Sequence, residues 1–203
     1  MTAPTAGASE RDAVNSAELV IRFVNTRAAG NGQPELIADG SAFREWLLHE
    51  HLVDGADPVT DADAAMAREL REALAVLLVD HVGAPIQDGA LAAAEKHLHR
   101  AAGLHPVNLL VGAGGCEITS PQTGVASAIG RILAAIFRAA TEGLWARSKM
   151  CSNPPCHAGF LDHTRNSAGL YCSSTCRSQM SMRAYRERRR TESDPGEPAG
   201  GRP

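Results

Sequence analysis

Cys151-Ser-Asn-Pro-Pro-Cys156 and Cys172-Ser-Ser-Thr-Cys176 place four of the chain's five cysteines within 26 residues, as two close pairs. Thiolates are soft donors that suit a tetrahedral Zn²⁺, and four of them make a closed, structural site rather than a catalytic one. Asn153-Pro154-Pro155 favours a tight turn that aims both sulfurs of the first pair at one point. The second pair opens a helix-like run, Ser173 to Arg190, which sets Cys172 and Cys176 about one turn apart on a shared face. Between the pairs, Ala158 to Tyr171 reads as a hairpin: Gly159-Phe160-Leu161, a polar turn at Asn166-Ser167-Ala168-Gly169, then Leu170-Tyr171 leading back to the sulfurs. Knuckle, hairpin and helix around one ion define a treble-clef arrangement. Two other readings stand beside zinc: a pair of disulfides, which an oxidising compartment would favour, and a mixed site in which His157 or His163 replaces one sulfur.

Cys-x₄-Cys, then Phe160-Leu161-Asp162-x-x-Arg165-Asn166, then Tyr171-Cys172-Ser173 and a last Cys entering an Arg-rich helix, resembles the C-terminal zinc finger of the CGNR family. Members of that family resemble bacterial transcription regulators with an N-terminal ABATE domain. Phe23-Val24-Asn25-Thr26 is similar to the family's early Val-Asn-Thr signature, and Leu36-Ile37-Ala38-Asp39 to the segment after it. The resemblance spans roughly residues 17–190, specific in the finger and weak in the middle. It implies one structural Zn²⁺ and a regulatory role on DNA. This chain departs from the pattern in two places. Cys176-Arg177-Ser178-Gln179 stands where the family has Cys-Gly-Asn-Arg, and the second pair is spaced Cys-x₃-Cys, one residue shorter than in many members. The last thiolate is kept; any nucleic-acid contact belonging to the missing Asn or Arg is lost with it.

The 203 residues, 44% apolar, suffice for one or two domains with a real core. The amino terminus carries Ser, Glu, Arg and Asp where a signal peptide needs an apolar run. The longest apolar stretches, Leu74–Val79 and Ile132–Phe137, are shorter than a membrane span. The expectation is a cytoplasmic protein without a membrane partner. The net charge of −3 conceals an asymmetry: residues 1–130 hold 8 Lys/Arg against 17 Asp/Glu, while residues 131–190 hold 11 against 3. A basic module on an acidic body is the electrostatic footprint of a polyanion partner, most simply DNA. The bland alternative is a solvated basic helix neutralised by the body in cis.

Along the chain, residues 1–16 read as a flexible, small and polar terminus. Glu18 to Ala29 fits a short helix or a strand, and periodicity does not decide between them. Asn25 at its close is either a ligand contact or a structural group satisfying backbone at a helix end. Ser41 is the expected N-cap of the next helix, through Phe43, Trp46 and Leu47. Thr60 caps a longer one with Asp61 and Asp63 in its first turn, Met66, Leu70, Leu74, Leu77 and Leu78 inward, and Arg68, Glu69, Arg71 and Glu72 on the wet side. Another helix is expected over about 88–102, with Leu91, Ala94 and Leu98 inward.

His97 and His99, two residues apart, point to different faces and cannot readily share an ion; with His105 they read as surface or capping residues. Val107–Val111 and Cys116–Thr119 form a β-hairpin, with Cys116 half-buried. Gly124 to about Lys149 is the longest helical pattern, and it is expected to run unbroken towards Cys151, coupling body to finger.

The chain thus reads as an α+β, mostly helical protein: a flexible terminus (1–16), an ABATE-like body with a small β-hairpin (17–147), a treble-clef-like zinc finger (148–190) and a disordered tail (191–203). The expected metal ligands are Cys151, Cys156, Cys172 and Cys176. The expected nucleic-acid contacts are Arg165, Arg177, Arg183, Arg186, Arg188, Arg189 and Arg190. Two roles stay open for the body, homodimerisation and sensing of a small-molecule effector. A protein-interaction module scaffolded by zinc is the alternative function. An enzyme is not expected: His157, Asp162, His163 and Asn166 have no catalytic spacing, and four thiolates leave zinc no open position for water.

Overall fold

The computed structural model describes residues 6–29 and 32–193, with side chains described for 15–29 and 32–191. Among these residues six α-helices and two antiparallel two-stranded sheets follow in the order α1 (Ala6–Val24), α2 (Gly40–His49), α3 (Asp61–Asp80), α4 (Ala90–Leu104), β1 (Asn108–Gly112), β2 (Gly115–Thr119), α5 (Gly124–Thr141), a 3₁₀ turn (Trp145–Arg147), β3 (Ser148–Met150), β4 (Gly159–Leu161) and α6 (Ser174–Ser193). The fold is α+β and mostly helical. The run from Glu18 is helical to Val24, and the helix reaches back to Ala6, into the stretch expected to be loose. Residues 191–193, expected in a disordered tail, belong to α6; residues 1–5 and 194–203 lie outside the described residues.

The body's core forms where the apolar stripes of α1, α2, α3 and α5 meet: Phe23, Phe43, Leu47, Leu70, Leu74, Leu78, Ile129 and Ile132 are buried together. Thr60 opens α3 with the expected cap, its Oγ1 accepting from Asp63 N while Asp63 Oδ2 accepts from Thr60 N. The start of α2 is set differently. Asp39, not Ser41, is its N-cap, accepting from Ala42 N at 2.9 Å. Gly40 is the reason: its N donates to Asp61 Oδ1, and a Cβ there would lie 2.6 Å from the Thr60 carbonyl carbon. Only glycine lets the two helix starts approach this closely, and the contact fixes the first turn of α2 ahead of Ser41.

Arg71, expected on the wet face of α3, is 3% exposed. The connection from α1 to α2 crosses that face, so the guanidinium meets Thr26 Oγ1 (3.2 Å), Glu35 Oε1 (2.5 Å) and Glu72 Oε1 (2.9 Å). Arg68 reaches the same segment, donating to the carbonyls of Ile37 and Ala38.

The hairpin β1–β2 forms as expected, in the register Leu109↔Ile118 and Val111↔Cys116. Cys116, expected half-buried, is exposed with most of the hairpin, while Ile118 and Thr119 are half-buried and Ile118 O accepts from Arg138 of α5. α5 is long and apolar enough by composition to cross a membrane, and its Val125, Ala128, Ile129 and Ile132 line the body's core. Phe137 and Ala140, further along the helix, are exposed.

α5 does not run on to the cysteines. It stops at Thr141, where Gly143 takes φ +71°, Gly143 N donates to Ala140 O and Leu144 N to Ala139 O. This pair of bonds is a Schellman stop, which a glycine at that place favours. The chain then turns through Trp145–Arg147 into β3, and it is β3 that carries it to Cys151.

Candidate metal centre and basic helix

The knuckle Cys151–Cys156 is the turn between β3 and β4, which pair as Ser148↔Leu161, Lys149↔Phe160 and Met150↔Gly159. The partner of Gly159–Leu161 is therefore β3, not Leu170-Tyr171 as the sequence had indicated. The helical pattern read to about Lys149 overlapped Ser148–Met150, which hid the strand. The 162–171 segment closes the site as a loop instead, with Ser152 N donating to Leu170 O. Cys151 N bonds Ala158 O, and Cys156 N bonds Asn153 O, which folds the knuckle tightly. Ser173 Oγ accepts from Cys176 N and so caps α6, orienting Cys172 and Cys176 at its first turn.

All four sulfurs lie within 4.8 Å of one another, with Cys156–Cys172 at 3.6 Å and Cys172–Cys176 at 3.8 Å. A tetrahedral Zn²⁺ with Zn–S bonds of about 2.3 Å separates its sulfurs by about 3.8 Å. A disulfide needs about 2.05 Å. The cysteines are free thiols at the spacing of zinc ligands, and neither His157 nor His163, both exposed, belongs to the cluster. Burial foremost pushes the Cys156 and Cys172 thiols up. Cys176 goes the other way: the Asn153 side chain foremost, with Ser173 and the adjacent thiols, outweighs burial and brings it down to about 7. The donor set fits one structural zinc, held by Cys151, Cys156, Cys172 and Cys176.

Behind the sulfurs lies a buried ion pair that spacing gave no reason to expect. Lys149 Nζ sits 2.8 Å from Asp162 Oδ2, at 3% and 2% exposure. Asp162 also accepts from Thr164 N, Thr164 Oγ1 and Gly169 N, and Lys149 donates to Ser167 O. Burial alone would raise the Asp162 carboxyl, but the ammonium and these donors hold it well below the usual carboxylate range. Asp162 is thus fully engaged in bracing the loop. Gly169 permits this, since a Cβ there would fall 2.6 Å from Asp162 Oδ1. Asn153, 1% exposed, is a second brace: its Nδ2 donates to Gln179 Oε1 and its Oδ1 accepts from Arg183 Nη1.

Asn25 joins body to finger. Its Nδ2 donates to Gly159 O at 3.0 Å and its Oδ1 accepts from Gly159 N at 2.7 Å, so one amide locks the end of α1 to β4. Gln33 Nε2 donates to Asn25 O from the other side. His81 Nδ1 meets Ser148 O at 2.7 Å, and Met150 is buried in the body's own core. The β3–β4 hairpin is in this way packed between α1 and α3.

Of the expected nucleic-acid contacts, Arg177, Arg186, Arg188, Arg189 and Arg190 are exposed on α6, and Arg165 is exposed on the loop after β4. Arg183 is also exposed but is tied to Asn153 and to Met180 Sδ.

A helical body joined through a hairpin to a four-cysteine, treble-clef-like zinc finger is the class that this fold and site define. Residues 17–146 match the ABATE family, described as "Putative stress-induced transcription regulator", and residues 147–189 match the CGNR zinc finger. The chain belongs to the ABATE family and carries a CGNR zinc finger at its C-terminal side. Neither description names an enzyme. No curated protein matches the chain.

Proposed function

We propose that this chain is a zinc-dependent, DNA-binding transcription regulator of the cytoplasm, with α6 contacting the duplex and the helical body regulating it. α6 supports this reading most directly. From Arg177 to Thr191 every side chain except the half-buried Met180 is exposed. A helix that is polar all round gains little from packing; its zinc-binding first turn and the Asn153 bonds to Gln179 and Arg183 anchor its N-terminal half. Such a rod, carrying six arginines, suits phosphate clamping or guanine contacts in a major groove. Arg186 and Arg190 share one face and Arg177 and Arg188 another, while Arg183 serves the knuckle as well.

The test is fluorescence anisotropy of the zinc-loaded chain on duplex DNA between about 50 and 200 mM salt. Log K should fall by roughly 0.9 for each phosphate contact per tenfold rise in salt, and Arg186→Ala or Arg190→Ala should each lower that slope by about 1. Binding that ignores salt would instead favour a protein partner. Met182 and Tyr185, each about half exposed on α6, are the observation that keeps that second reading in view.

A further inference from the structure

The β1–β2 hairpin closes through a two-residue turn, which makes Gly112↔Gly115 a hydrogen-bonded pair and Leu110↔Glu117 and Asn108↔Thr119 the next ones. The backbone N–H and C=O of Leu109 and Val111 therefore point away from β2, along the outer edge of β1. Those of Cys116 and Ile118 point to the opposite edge. The two edges differ. β2 lies against α5, and its Ile118 O accepts from Arg138 Nη2. Among the described residues, no hydrogen bond reaches the outward groups of Leu109 and Val111. The side chains are as open as the edge: Leu109, Leu110 and Val111 are 63%, 53% and 74% exposed. Asn108–Gly112 has no charge, no proline and no bulge, the devices that normally keep an exposed edge from pairing.

We propose that β1 pairs antiparallel with β1 of a second copy of this chain, across a two-fold axis at Leu110, so that the two hairpins form one continuous sheet. In this register Leu109 N donates to the O of the partner's Val111, and the N of the partner's Val111 donates to Leu109 O. Symmetry repeats both bonds, and the outward groups of the edge are all satisfied. Leu110 meets the partner's Leu110 on one face, while Leu109 and the partner's Val111 meet on the other. Charge favours a second copy. The edge carries none, and Glu117, the one charged residue of the hairpin, lies a strand further in. The two β2 strands stand three strand spacings apart, about 14 Å, beyond the screening length of about 8 Å at physiological salt. Because α5 occupies the outer edge of β2, addition stops at two copies and the sheet closes as a dimer instead of growing. Leu109, Leu110 and Val111 leave on the order of 350 Å² open in each copy, and the pooled area of about 700 Å² is that of a weak interface, with an affinity of tens of micromolar. Dimerisation through this edge goes beyond the duplex-binding reading and is tested without DNA.

The experiment is sedimentation equilibrium of the full zinc-loaded chain from about 2 to 200 µM. The wild type should pass from monomer to dimer with a Kd of about 10–100 µM and go no further. Leu110→Glu, which sets two carboxylates opposite each other on the axis, should weaken the dimer at least about tenfold. Leu36→Glu, at another exposed leucine on the connection before α2, should leave it unchanged. Leu110→Cys in a Cys116→Ser background should cross-link two copies on air oxidation, because opposed residues of an unbonded antiparallel pair have Cα atoms about 4.5 Å apart, within disulfide range. A chain that stays monomeric at about 200 µM, a mass that grows past the dimer, a Leu110→Glu variant no weaker than Leu36→Glu, or a dimer that Leu110→Cys fails to cross-link would each overturn the proposal.

Discussion

Asp162 and Lys149 form the pair whose loss the finger should feel most. Removing one partner of a buried pair leaves the other charged and unmatched, at a cost of about 3–5 kcal/mol. Asp162→Asn should lower the urea stability of the zinc-loaded protein by that order at pH 7. The pH dependence follows from the sign of the shift. The folded carboxyl is held below its ordinary value, so the stability it contributes is fully present above the unfolded pKa of about 4 and is lost as pH falls through the folded value. The gap between wild type and Asp162→Asn should be constant from pH 7 to about 5 and narrow below about 4, as urea midpoints at each pH would measure. A gap that closes already between pH 7 and 5 would mean that Asp162 is not the group responsible. Neither partner was legible beforehand. Lysine and aspartate thirteen residues apart become neighbours only because β3 and β4 pair, and that pairing depends on the strand assignment of Ser148–Met150. The cysteines were legible because their chemistry narrows the choice: soft donors in two close pairs have few uses.

At the scale of elements, α6 is a helix that zinc holds and packing does not. Most helical stability comes from packing of an apolar face, and among the described side chains of α6 only Cys176 is buried and Met180 half-buried. Chelating the metal should therefore melt α6, and the circular dichroism at 222 nm should fall by the contribution of about 20 helical residues. Unchanged helicity in the metal-free chain would show that α6 stands without its anchor. Helix existence was readable from apolar spacing in α2 through α5 and from the run opened by the second cysteine pair in α6, and Thr60 was readable as a cap because its partner sits three residues on. What misled the reading was local geometry imposed from a distance. Gly40 displaced a cap by touching a second helix, and the 26–38 connection covered Arg71. The stop after Thr141 was written in Gly143, but the apolar residues beyond it looked like more helix.

For the whole molecule, the expectation of a rigid link between body and finger through a continuous α5 is replaced by a different coupling. Asn25, His81 and Met150 seat the β3–β4 hairpin between α1 and α3. Body and finger should then unfold in one transition. Asn25→Ala leaves the N–H and C=O of the buried Gly159 without partners, at roughly 1–3 kcal/mol for each group. That variant should separate thermal unfolding into a body step and an earlier finger step, followed by calorimetry with a zinc-release dye. A single transition at a lower temperature would place the coupling in Met150 and His81 instead.

Met150 has a consequence of its own. The side chain lies among the helices, and the next residue along the backbone is the first sulfur. Whatever loosens the bundle must slacken the grip on the ion, and by reciprocity the ion must tighten the bundle. A chelator competition would then gauge the health of a domain that never touches the metal.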